Sequence, residues 1–71
     1  MNDLTVSEKI KLIMSRKGIT QAWVADKMGI SSPALTKKFK ANDWREKDLR
    51  LICEILGTEY AVTFKHDGEW I

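Results

Sequence analysis

Glycines at positions 18, 29 and 57 punctuate this chain, and each closes a run of apolar residues at three- and four-residue spacing. Such punctuation predicts a set of short helices. Thr5 followed three residues later by Glu8 is a capping-box signature, and Val6, Ile10, Ile13 and Met14 recur behind it. A first helix is therefore predicted from about Val6 to Arg16, with Gly18 as its stop. Thr20 is a good N-cap for a second helix, Gln21 to Met28, whose inward face is Val24, Ala25 and Met28. Ser31 caps a third, in which Pro33 is tolerated because the first turn has no intrahelical donor to lose, and Leu35 and Phe39 form the apolar stripe. That helix should end near Lys40, with Ala41-Asn42-Asp43 as a turn. Asp43 with Glu46 is expected to cap a fourth helix that buries Leu49, Ile52, Cys53 and Leu56 and stops at Gly57.

From Glu59 the apolar period changes from 3.6 to 2, with Tyr60, Val62 and Phe64 on one face and Ala61, Thr63 and Lys65 on the other. Asp67-Gly68 is a type I′ hairpin signal that sets His66 opposite Glu69, Lys65 opposite Trp70 and Phe64 opposite Ile71. The fold class expected is mainly α, four helices followed by a C-terminal β-hairpin over 60–71, and residues 1–71 are read as one domain.

Composition narrows the classes further. With 71 residues, 44% hydrophobic and 31% charged, the chain is globular rather than disordered, but its core is small and partner burial is expected to help it. No apolar run approaches the roughly 18 residues of a membrane span, and Met1–Ser7 lacks the basic and apolar regions of a signal peptide. A cytoplasmic protein without membrane attachment is the expectation. The single Cys53 and single His66 offer neither a disulfide nor a zinc set, and no nucleophile–base arrangement or phosphate loop is present. The expectation is therefore a non-enzyme with no metal, cofactor or small-molecule substrate.

The formal net charge of +2 is unevenly spread. Residues 1–40 carry eight cations (Lys9, Lys11, Arg16, Lys17, Lys27, Lys37, Lys38, Lys40) and three anions, a balance of +5, whereas residues 41–71 balance at −3. A basic half points to a polyanionic partner. Within it, two short helices joined by Gly29-Ile30-Ser31 cross steeply only where small residues permit close approach, and Ala25 and Gly29 sit at that point. This is the geometry of a helix-turn-helix, placed here at residues 20–39.

The run from Thr20 to Leu35 strongly resembles the Cro and phage-repressor-like helix-turn-helix family, also called the XRE family, matching at Gln21, Val24, Ala25, Met28, Gly29, Ile30 and Leu35. The likeness extends more loosely over residues 5–57. It departs at Lys38, where the family usually carries an apolar residue, and in the tail, where many members continue with a fifth helix. What the resemblance implies is a recognition helix, Ser32 to about Phe39, entering the major groove of double-stranded DNA while the second helix spans the backbone. Its base-contacting residues would be Ser32, Pro33, Thr36 and Lys37. Lys37 can donate to guanine O6 and N7, and Thr36 can bond a base edge or touch a thymine methyl. Gln21 stands where the family anchors a phosphate, with Lys38, Lys40 and Asn42 as further phosphate candidates.

The implied function is a sequence-specific transcriptional regulator, a repressor acting by operator occupancy. The competing reading is a protein interaction module of antitoxin or antirepressor type on the same scaffold, using Trp23, Trp44 and the hairpin. Trp23 is expected either to pack under the loop near Trp44 or to form a contact surface, with packing preferred. Trp44 is read as a core lid. An isolated two-stranded ribbon is marginal in water and its edges invite pairing. Val62, Phe64, Trp70 and Ile71 are accordingly read as a homodimer interface, the alternative being that they fold back on the first and fourth helices.

Overall fold

A computed structural model of the chain describes residues 3–71. Four helices, α1 (Val6–Lys17), α2 (Gln21–Met28), α3 (Ser32–Ala41) and α4 (Glu46–Leu56), precede a two-stranded antiparallel hairpin of β1 (Lys65–His66) and β2 (Glu69–Trp70). The local signals account for most boundaries. Thr5 Oγ1 accepts from the Glu8 N–H at 3.1 Å while Glu8 Oε1 accepts from the Thr5 N–H at 2.9 Å, and this holds the Glu8 carboxyl below its usual range. Thr20 and Ser31 hydroxyls cap α2 and α3 by accepting from Trp23 N–H and Ala34 N–H. Every helix stops on a residue in the left-handed region: Gly18, Gly29, Asn42 and Gly57.

Asn42 is the informative member of that set, because an asparagine takes positive φ (49°) at some cost. Its side chain explains why it is there. Asn42 Oδ1 accepts from the Ser7 N–H at 3.0 Å, one of the donors that the first turn of α1 leaves without an intrahelical partner. The residue that ends α3 thus caps α1. Ser7 Oγ, buried, shares its proton between the Phe39 carbonyl (2.9 Å) and Asn42 Oδ1 (3.0 Å) and accepts from Trp44 Nε1 (2.9 Å).

The core is Ile10, Met14, Val24, Ala25, Leu35, Phe39, Ile52 and Leu56, with Ile13, Ile19, Met28, Ile30, Trp44, Leu49 and Cys53 packed against it. All four helices contribute, α2 packing on both α3 and α4, and α3 on α1. Trp44 meets Phe39 edge-to-face at 5.3 Å between ring centroids.

Three expectations need correction. Asp43 does not cap α4; the N-cap is Arg45, which has no side-chain acceptor, and Asp48 instead reaches back to accept from the Arg45 N–H. The strand expected from Glu59 onward is paired only at its end: Phe64 and Ile71 exchange two backbone bonds (2.9 and 2.6 Å), Lys65 faces Trp70 and His66 faces Glu69, whereas residues 59–63 make no backbone hydrogen bond among the described residues. No second strand lies beside them among the described residues. Trp23 does not pack under the loop near Trp44. It is 44% exposed, lies against Gly18, Ile19 and Thr20, and carries Lys27 Nζ over its ring at 5.3 Å.

Asp67 and Gly68 both have positive φ, as a type I′ turn requires. The paired strands are exposed and stand off the helices, whereas residues 58–63 run beside α1 and α4, sharing a cleft with Val6, Ile10, Ile13, Leu49 and Cys53, and Arg50 lies over the Tyr60 ring at 5.4 Å. The molecule measures 42 × 22 × 20 Å, and its radius of gyration of 13.2 Å exceeds the roughly 11 Å of a compact chain this long.

Candidate nucleic-acid interface

Helix α3 turns Leu35 and Phe39 inward, which fixes where its other side chains go. Pro33, Lys37 and Lys40 fall on the opposite, exposed side, and Ser32 is exposed at the first turn. The two flanks are tied to neighbouring helices. On one, Gln21 Nε2 at the start of α2 donates to Thr36 Oγ1, and both residues are half-buried. On the other, Lys38 Nζ lies 3.2 Å from Asp48 Oδ2 in the first turn of α4.

The predicted contact residues therefore divide. Ser32, Pro33, Thr36, Lys37 and Lys40 share one accessible side of α3, with Gln21 beside Thr36. Lys37 and Lys40 have no ion-pair partner among the described residues, so their charges are free to meet an anion. Lys38 and Asn42 have structural partners. Lys38 is committed to Asp48, and Asn42 Oδ1 to Ser7, leaving the Asn42 amide nitrogen to solvent. Partial burial opposes the charge on Asp48, but the Lys38 ammonium and the Arg45 N–H outweigh it and hold the carboxyl below its usual range.

In the Gln21–Thr36 bond the amide is the donor and the Thr36 oxygen the acceptor. The bond holds Gln21 at the start of α2 against the half-buried Thr36 of α3.

Two basic residues missing from the sequence reading come into view at the start of α4. Arg45 and Lys47, both exposed, share a cleft with Lys38, Ile30, Asp43 and Asp48. They lie in the half of the chain with net negative charge, so a count along the sequence hides them. Exposed Trp23, two residues after Gln21, is the other addition.

No group of three or more metal-ligating side chains occurs among the described residues. Cys53 is half-buried against the core, and burial pushes its thiol up, keeping it protonated. No helix among the described residues is long and apolar enough to cross a membrane. The chain matches no family model, no curated protein and no solved structure.

Proposed function

We propose that the chain is a sequence-specific DNA-binding regulator of helix-turn-helix type, a repressor that acts in the cytoplasm by occupying its operator as a homodimer. The observation that carries this reading is the exposed side of α3, where Pro33, Thr36, Lys37 and Lys40 stand together with Gln21 beside them and no internal partner for either lysine. The resemblance of residues 20–35 to the phage-repressor-like family supports it. In this arrangement Ser32, Pro33, Thr36 and Lys37 meet base edges, while Gln21, Lys38, Lys40 and Asn42 hold phosphates. Lys38 and Asn42 are the weaker phosphate ligands, because their partners must be exchanged or shared. Val62, Phe64, Trp70 and Ile71 bury against the second copy. Function is occupancy, with no chemical step.

Selection from a random duplex library at about 0.15 M salt tests this directly. Enrichment of a palindrome with half-sites roughly 10 base pairs apart is the expected result. Lys37→Ala should then cost about 1–3 kcal/mol and relax preference at one position, and Lys40→Ala should weaken all sequences alike and make the salt slope shallower by about one. If neither change alters affinity for any duplex, the assignment of α3 is wrong. The second reading, a protein interaction module, draws on exposed Trp23 and the apolar hairpin, and it gains if no duplex is retained even at low salt.

A further inference from the structure

Val62, Phe64, Trp70 and Ile71 are 51–72% exposed, yet strand alternation does not put them in one patch. The ladder places Phe64 with Ile71 on one face, which Val62 shares, and Lys65 with Trp70 on the other, where Lys65 Nζ lies 5.7 Å from the indole centroid. Side-chain burial alone therefore does not say how a second copy docks. The backbone does.

Because Phe64 exchanges both of its bonds with Ile71, the N–H and C=O of Phe64 point toward β2. In an extended strand those of Glu59, Ala61, Thr63 and Lys65 point to the other edge; residues 59–63 make no backbone hydrogen bond among the described residues, although their side chains share a cleft with Val6, Ile13, Leu49 and Cys53 of α1 and α4. No residue from Thr58 to His66 has positive φ, so this edge is free of left-handed kinks. A second copy pairing antiparallel along it must set like-oriented residues opposite each other. That requires the twofold axis to pass through a residue rather than between two.

Charge selects which residue. The segment Glu59-Tyr60-Ala61-Val62-Thr63-Phe64-Lys65 is complementary to its own reverse. An axis through Val62 sets Glu59 opposite the partner's Lys65, Tyr60 opposite the partner's Phe64 and Ala61 opposite the partner's Thr63. An axis through Ala61 leaves Lys65 opposite Gly57, and one through Thr63 sets Glu59 against Asp67. Neither Glu59 nor Lys65 has an ion-pair partner within the chain among the described residues.

We infer that two copies join their 59–65 segments antiparallel about a twofold axis at Val62, making one four-stranded sheet from two hairpins. Three or more strands are what a ribbon needs for stability of its own. The inference rests on the dimer of the proposed function and is independent of its DNA target.

Sedimentation equilibrium of the full chain without DNA, over micromolar to millimolar concentration, is the test. Wild type should dimerise. Glu59→Lys and Lys65→Glu should each weaken association on the order of tenfold, since each turns two attractive cross-strand pairs repulsive, and the double exchange should restore it. In a Cys53→Ser background, Val62→Cys should oxidise to a covalent dimer, because residues facing across a non-hydrogen-bonded pair are within disulfide reach. Glu59→Cys should not, its copies lying six residues, about 20 Å, apart. A monomeric wild type, a double exchange no better than the single ones, or crosslinking at position 59 but not 62 overturns the inference. A dimer of this register that retains no duplex overturns the DNA reading alone.

Discussion

Leu35 and Phe64 are both large apolar residues, and the structure treats them oppositely: Leu35 is fully buried, whereas Phe64 is 68% exposed. The contrast extends to their surroundings. Around Leu35, four helices close a core and tie their ends together with Ser7, Asn42 and Trp44. Around Phe64, one neighbouring strand supplies two backbone bonds and no core forms. Folding within one chain satisfies the helical body and leaves the hairpin with apolar surface and an open edge. The difference teaches that burial within one chain accounts for the first region and not for the second, whose apolar surface is what the proposed dimer would cover.

Truncating both residues gives the largest contrast. Leu35→Ala should lose about 2–5 kcal/mol of unfolding free energy, by transfer loss plus a cavity, a large share of what so small a domain possesses. Phe64→Ala should move the unfolding free energy of the dilute monomer by no more than about 0.5 kcal/mol, and its effect should appear in sedimentation instead. Urea unfolding of the two variants at low concentration checks this; equal losses would erase the distinction between the regions. Asn42→Ala comes next, at about 1–3 kcal/mol, because it strips an acceptor from the Ser7 N–H and hydroxyl while replacing a residue suited to positive φ. A smaller effect belongs to Asp48. Its carboxyl is held below the usual range, so its contribution is complete at neutral pH and is lost as pH falls through that lowered value. The stability gap between wild type and Asp48→Asn should therefore be present at pH 7 and close in acid; a gap independent of pH would remove the Lys38 pair as its cause.

Most of the helical frame was legible because its signals are local. Thr5 with Glu8, Thr20, Ser31 and the stops at Gly18, Gly29 and Gly57 act within a turn of themselves, and each lies where spacing put it. The turn at Asp67-Gly68 fixed the hairpin register in the same way. Asp43 failed as a cap because Asp48, further on, supplies the acceptor, and two acidic residues in one short stretch look alike in sequence. The period-2 run from Glu59 marked a strand where only Lys65–His66 is one, because pairing within the chain begins at Phe64. Lys38 and Asn42 looked like free polar residues because Asp48 and Ser7, the latter 35 positions from Asn42, meet them only in three dimensions.

The left-handed stop on every helix bears on how fast the chain finds its fold. Each helix has its terminator next to it in sequence, and contacts close in sequence dominate the helical body. Chains of such low contact order collapse to their native arrangement in microseconds to milliseconds, whereas ribbon pairing between two molecules waits on their diffusion and concentration. In the dimer proposed above, the body is thus complete before two 59–65 segments meet, and assembly follows the concentration of already folded monomers.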